Sequence, residues 1–225
     1  SRDLLKTLSE DNFENDQFRF GFAKFITIDG VKIWTQRLSY VGELGYELYV
    51  DLKDTKKIYE LLIEKGKDFN LSNCGMHAMD IMRMESGFLH WGHDISPEEN
   101  QYQAGLAFTI SNKKDVDFIG KQALEKIKQD KVKTRFSMFT LKESEPGKPL
   151  LLHDEPIYDD EKIIGRSTSG NYSFNFKKNL VFGYINNDFS NEELQNKNLF
   201  IEVEKKKYPI SIQSEPLKRT DFKNL

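Results

Sequence analysis

The apolar and polar positions of this chain follow two regimes. In the first, alternation and helical periodicity take turns. Leu4, Leu5 and Leu8 have the spacing of a short helix over residues 2–8, and Phe18, Phe20 and Phe22 alternate as a half-buried strand does. Residues 23–28 and 31–38 form the strongest hairpin pattern, joined by Asp29-Gly30, a pair suited to the positive φ angles of a two-residue turn. Ile58, Leu61, Leu62 and Lys65 keep the helical period between Asp54, read as a cap, and Gly66, read as a stop. A second helix is predicted over 75–86, where Asp80 and Arg83 are three apart and within reach of each other. His90 to Asp94 reads as a compact polar-aromatic turn, and 106–110 as a short strand. Asp117 opens a helix that turns Ala123, Leu124 and Ile127 inward.

Near residue 130 the pattern changes. Residues 131–141 read as a strand, followed by short strands at 155–158, 162–167, 181–185, 199–203 and 208–212. Turn residues separate them and no long helix intervenes, which predicts a small antiparallel barrel or sandwich. The three lysines Lys205, Lys206 and Lys207 read as a solvated hairpin tip. The expected organisation is an α+β region over residues 1–130 and a β-barrel over 131–225.

One stretch stands out, Tyr40-Val41-Gly42-Glu43-Leu44-Gly45-Tyr46-Glu47. Two glycines three apart between predicted strands point to a tight turn or a close backbone approach. Glu47 heads an otherwise apolar strand. A carboxylate buried there requires a partner, either a protein cation or the N–H edge of a ligand such as a pterin.

Composition narrows the remaining classes. The chain has 225 residues, 38% hydrophobic and 31% charged, with net charge −3 and pI near 5.9, an ordinary folded balance without a nucleic-acid footprint. No apolar run reaches the length of a membrane span, so no membrane partner is expected. A single cysteine, Cys74, excludes an intramolecular disulfide and fits a reducing, cytoplasmic setting. It reads as a small buried residue, although its spacing to His77 at a predicted helix start would also suit an activated thiolate. There is no phosphate-binding loop, dinucleotide fingerprint or His-Glu-x-x-His. His90, His93 and Asp94 lack further ligands for a metal, so a structural turn is the simpler reading and no metal is expected. Ser1 to Leu5 reads as the inside of a helix, so an upstream part is expected.

The chain also resembles a known family. Tyr40 to Glu47 resembles the Tyr-x-Gly-Glu-x-Gly-x-Glu segment of the aminomethyltransferases, the T-proteins of glycine cleavage. The likeness continues in order through residues 78–87, His90 to Asp94, 103–108, 117–124, Ser167-Thr168-Ser169-Gly170 and 178–185. The wording is most similar to the folate-binding C-terminal part of dimethylglycine and sarcosine dehydrogenases. The resemblance implies a ferredoxin-like folate-binding half-domain, then the family's C-terminal barrel. It implies a tetrahydrofolate pocket that captures a one-carbon unit from a small N-methyl amine. FAD would belong to a preceding flavin dehydrogenase domain or subunit. Glu47 falls on the family's pterin-binding carboxylate, Tyr40 on an aromatic of the same pocket, and Arg83 on a family Arg, alongside its structural pairing with Asp80 or Glu85. Glu43 reads as a turn or network residue. A second family Arg is replaced by Met79, which argues against an aminomethyl-lipoyl substrate. The family's catalytic Asp lies upstream of these residues, so the catalytic group is unknown here. The alternatives are a glycine-cleavage aminomethyltransferase and a non-catalytic folate-binding subunit.

Overall fold

The computed structural model describes residues 1–111, 117–130, 132–222 and 225. The described residues divide into two compact units, Ser1–Met79 with Lys218–Leu225, and Asp80–Leu217.

The first unit begins with helix α1 (Arg2–Lys6), shorter than its apolar spacing predicts. An antiparallel meander of β1 (Ala23–Ile28), β2 (Val31–Gln36) and β3 (Glu47–Tyr49) follows. The β1–β2 turn is the predicted one: Asp29 and Gly30 both have positive φ, 48° and 76°, and Ile28 faces Val31 across it. Alternation gives the sheet one apolar face, where Ile26, Ile28 and Ile33 join Phe13, Phe18 and Ile58 in a buried cluster. Ile58 comes from helix α2 (Leu52–Gly66). Its N-cap is Asp51 rather than Asp54, and Gly66 is its last residue, as expected, before a 3-10 turn over Lys67–Phe69. The alternating phenylalanines form no strand. Phe18 is buried and Phe22 exposed, but the segment 14–22 is a run of turns in which the Phe18 N–H bonds to the Glu14 carbonyl. Only its end meets a neighbouring edge, where the Gly21 N–H donates to the Arg37 carbonyl and the Arg37 N–H to the Phe22 carbonyl, each at 2.9 Å.

The second unit is built on a closed six-stranded antiparallel barrel. Helix α3 (Met76–Glu85) enters it, and Ile81 and Met84 pack against Leu180 and Phe182. Helix α4 (Lys121–Asp130) is only partly covered: Leu124 and Ile127 are half-buried and Ala123 is exposed. Residues 107–109 form a short 3-10 turn rather than the predicted strand. The barrel strands are β4 (Thr134–Leu141), β5 (Pro156–Asp159), β6 (Lys162–Ser173), β7 (Lys178–Asn186), β8 (Leu199–Val203) and β9 (Lys206–Gln213), closed in the order β4-β7-β6-β5-β8-β9. Lys131, which opened the predicted first strand, lies outside the described residues. Phe139, Val181, Ile157, Ile201 and Ile210 meet in the barrel core. Closure pairs each of these strands on both sides, so the sheet presents no open edge. Gly165 and Gly183 allow the β6–β7 approach, since a Cβ at Gly165 would meet the Tyr184 carbonyl oxygen at 2.0 Å. A five-residue helix, α5 (Asn191–Gln195), interrupts the strands after Ser190 and Glu193 form a capping box, a signal present in the sequence as Ser-x-x-Glu. Among the described residues no helix is long and apolar enough to cross a membrane.

Candidate functional site

The glycine-marked stretch makes both predicted features at once. Gly42 takes φ 69°, a left-handed angle. A Cβ at Gly45 would lie 2.7 Å from the Leu38 carbonyl oxygen, so only glycine lets the returning chain close on the end of β2. That closure sets the register of β3, with Glu47 opposite Gln36 and Tyr49 opposite Trp34. Tyr46 then turns inward, its ring 5.8 Å from Phe13 edge-on and 5.6 Å from Phe18. By the same alternation Glu47 turns outward.

Glu47 is exposed, not buried, so the partner that burial would have demanded is not required. It meets no guanidinium or ammonium among the described residues. Its Oε2 accepts a 2.6 Å hydrogen bond from the Tyr49 hydroxyl, and Oε1 has no partner among the described residues. The bond to Glu47, ahead of partial desolvation, raises the Tyr49 pKa above the ordinary phenol value. Trp34 and Phe25 share this face, next to each other in register with rings 4.9 Å apart. The result is an acceptor edge beside aromatic surface, complementary to the donors of a flat N–H-bearing ring. Tyr40 is half-buried in the turn that precedes the strand. Glu43 pairs with Lys218, a network role as expected.

Arg83 lies in the other unit and has a different environment. It is 1% exposed. Its Nε donates to Asp80 at 2.9 Å, Nη2 to Asp80 and to the Ser169 hydroxyl at 2.7 Å each, and Nη1 to the Phe88 carbonyl at 3.1 Å and to Asp94. These five contacts use all five guanidinium donors. The expected pairing with Asp80 is present, whereas Glu85 bonds instead to Ser173 at 2.6 Å and to Asn175. Direct donation from Arg83 to a cofactor, as the resemblance implies, finds no free N–H here. The guanidinium instead fixes the 88–94 turn to helix α3 and strand β6. Asp94, which the sequence placed in a structural turn rather than a metal site, is the centre of this hub. The clue was an acid in a tight turn after an Arg-bearing helix, with Thr168-Ser169 far along the chain supplying hydroxyls.

The second unit also holds a polar cleft of about 370 Å³, lined by His93, Glu99, His153, Asp154, Arg166 and Tyr184 among others. His153 bonds to Asp154 at 2.9 Å, and Arg166 pairs with the same carboxylate. Together they hold Asp154 below the usual carboxylate range. The Tyr184 hydroxyl is buried without a partner among the described residues. Burial, then the charges of Glu99 and Asp94, push its pKa up. Among the described residues, no three His, Cys, Asp or Glu side chains converge where a metal could be held. Cys74 is exposed, a correction to its expected burial. It sits in the irregular segment before α3, where neither sheet nor helix packs over it.

Residues 1–114 match the family model of the GCVT N-terminal domain, and residues 135–218 that of the glycine cleavage T-protein C-terminal barrel domain. The chain is 33% identical over 221 residues to human mitochondrial dimethylglycine dehydrogenase, covering 98% of this chain and 25% of that protein. It is 38% identical over 172 residues to 4-methylaminobutanoate oxidase (formaldehyde-forming) of Paenarthrobacter nicotinovorans, covering 76% of this chain and 20% of that one. With the aminomethyltransferase of Halothermothrix orenii it shares 33% over 188 residues, 84% of this chain and 51% of the relative. The crystal structure of aminomethyltransferase T from Bartonella henselae superposes with a TM-score of 0.76 at 21% identity, over 92% of this chain and 55% of that one, and so shares the fold. The chain thus spans about a fifth to a half of the length of these relatives. With both of its regions matched in order, the chain belongs to the glycine cleavage T-protein family.

Proposed function

We propose that this chain is the folate-holding portion of a one-carbon-transfer enzyme of the dimethylglycine or sarcosine dehydrogenase kind. Residues 1–130 would be the rear half of the folate-binding domain and 131–225 its barrel domain. The observation that carries the reading is Glu47, a carboxylate on an open sheet face with no cation against it, one unpartnered oxygen and aromatic neighbours. Such a group fits the aminopyrimidine edge of a reduced pterin. Two N–H donors meet two carboxylate oxygens, a charge-assisted and oriented grip. The Tyr49 hydroxyl anchors Glu47 through Oε2. Tyr40, from the glycine-bent turn, would flank the ring.

The bound tetrahydrofolate would supply the nucleophilic amine that takes up a one-carbon unit from a small N-methyl amine oxidised elsewhere. The residues of this chain bind and orient, and orientation carries much of the benefit in a two-reactant step. The acid–base group and any FAD would belong to a preceding segment or subunit. Arg83 would serve the second unit, by holding the 88–94 turn to α3 and β6.

Titrating the wild-type and Glu47→Gln chains with a reduced folate tests the reading. Loss of a charged acceptor weakens binding by about 10- to 100-fold. Equal affinity in the two would overturn the assignment.

A further inference from the structure

Two arginines share the same deep burial, each 1% exposed, yet they are met very differently. Arg83 uses all its donors and lies against Asp80 and Asp94. Arg37, just past the end of β2, makes two side-chain hydrogen bonds among the described residues. Its Nη1 donates to the Phe18 carbonyl at 2.5 Å, and its Nη2 to the Leu225 oxygen. Its Nε is buried with no partner among the described residues. Neither acceptor is an Asp or Glu side chain, so no such charge offsets this guanidinium. A buried cation left in that state is costly. Burial first lowers the Arg37 pKa, with the Tyr46 phenol opposing and the like charge of Arg2 adding to the shift.

A second cation stands at the same point. Arg2, from α1, donates through Nη2 to the same Leu225 oxygen at 2.9 Å and to Asn15, and through Nε to the Tyr46 hydroxyl at 3.4 Å. Two guanidinium groups therefore converge on one oxygen. A lone carbonyl offers them a dipole but no charge. A carboxylate or a phosphate offers negative charge and a separate oxygen to each fork. We propose that Arg2 and Arg37 form a binding site for an oxyanion, at the position that the Leu225 oxygen marks. Two sources supply that chemistry: the α-carboxylate of Leu225 in the 225-residue chain, and a small anion from solution. The site lies on the buried side of the meander, with Phe18 and Tyr46. Gln36, which precedes Arg37, pairs with Glu47, and Tyr46, which precedes Glu47, is bonded to Arg2. An anion held here ties α1 to both strands that flank the glycine-bent turn.

Inorganic phosphate is the probe, added to the full chain at constant ionic strength with chloride as the control. Calorimetry and urea midpoints are the readouts. A parallel chain carries Leu225 as its C-terminal amide, which keeps the oxygen and removes the charge. If a solution anion occupies the site, phosphate binds the wild-type chain and raises its midpoint in a saturable way. Arg37→Gln is then expected to weaken phosphate by about 10- to 100-fold, and the less buried Arg2→Gln by about three- to fivefold. If the chain's own carboxylate fills the site, the wild-type chain ignores phosphate. The amidated chain is then less stable, binds phosphate, and loses that binding in Arg37→Gln. Either result supports the site and identifies its source. The proposal is overturned if neither chain binds phosphate, or if the binding seen is the same in Arg37→Gln and Arg2→Gln as in the unsubstituted chain. Should Arg37→Gln not fold, Arg2→Gln decides the matter in both chains, because it leaves the buried side chain in place.

Discussion

Arg83 and Asp94 neutralise each other inside the second unit, with side chains 1% and 0% exposed. Asp94 accepts from Arg83, from the His90 N–H at 2.9 Å, and from the hydroxyls of Thr168 at 2.5 Å and Ser169 at 2.8 Å. The pair costs little because every donor and acceptor is met. Removing one partner strands a buried charge. Asp94→Asn or Arg83→Met is therefore expected to destabilise the chain by about 3–5 kcal/mol in urea unfolding. The double variant should recover part of that loss. A single change costing under about 1 kcal/mol would show that the hub does not hold the turn as described.

Gly45 is a second point where one atom decides the local structure. An added Cβ would sit 2.7 Å from the Leu38 carbonyl oxygen, inside any normal contact. The backbone must then move, and β3 with it. Gly45→Ala is expected to cost about 1–3 kcal/mol in urea unfolding and, on the proposed reading, to weaken folate binding with it. Gly21→Ala serves as the control. It has positive φ, but a Cβ there meets nothing within 4 Å, so its cost should be the smaller backbone strain alone. Equal losses in the two variants would argue against a crowded approach at Gly45.

What could be read in advance follows the range of the interactions. The Asp29-Gly30 hairpin was legible because turn chemistry and alternation agree over fourteen neighbouring residues, 23–36. The barrel strands were legible for the same local reason, though closure in the order β4-β7-β6-β5-β8-β9 was not. Phe18, Phe20 and Phe22 misled because alternation says nothing about a pairing edge. Glu47 was singled out by its place in a glycine-marked motif, yet its exposure was not foreseen, since the face it takes is fixed by register with Gln36. The Asp94 hub was missed as a hub because Ser169 bonds to it from 75 residues away and Arg83 reaches the same hydroxyl across 86.

The contact between Glu47 and Tyr49 can be checked without any ligand. A carboxylate 2.6 Å from the phenol stabilises its protonated form, and the Tyr49 pKa lies above the ordinary value. In Glu47→Gln that cause is gone. Tyr49 should then titrate at lower pH than in the wild-type chain, read by NMR of the labelled phenol carbon. Identical titration in both chains would place the Glu47 carboxylate elsewhere, and with it the proposed pterin grip.

Tyr184 offers a change that should help rather than harm. Its hydroxyl is buried without a partner among the described residues, while its ring stays 5.9 Å from Phe136, edge-on. An unmet buried hydroxyl costs about 1–3 kcal/mol, so Tyr184→Phe keeps the packing and should leave the chain equally or more stable at neutral pH. The pH dependence follows from the raised pKa, which burial causes first and the charges of Glu99 and Asp94 next. A group raised in the folded state contributes its full stability below the unfolded pKa, about 10 for a phenol, and loses it as pH rises beyond that. Above about pH 10 the unfolded wild-type chain sheds this proton while the folded chain keeps it, so unfolding is favoured. Tyr184→Phe removes that one contribution, and its stability should fall less steeply between about pH 10 and 12. Urea midpoints measured across that range would decide it: a variant weaker than wild type by more than about 1 kcal/mol at pH 7 means that the hydroxyl is bonded in solution after all.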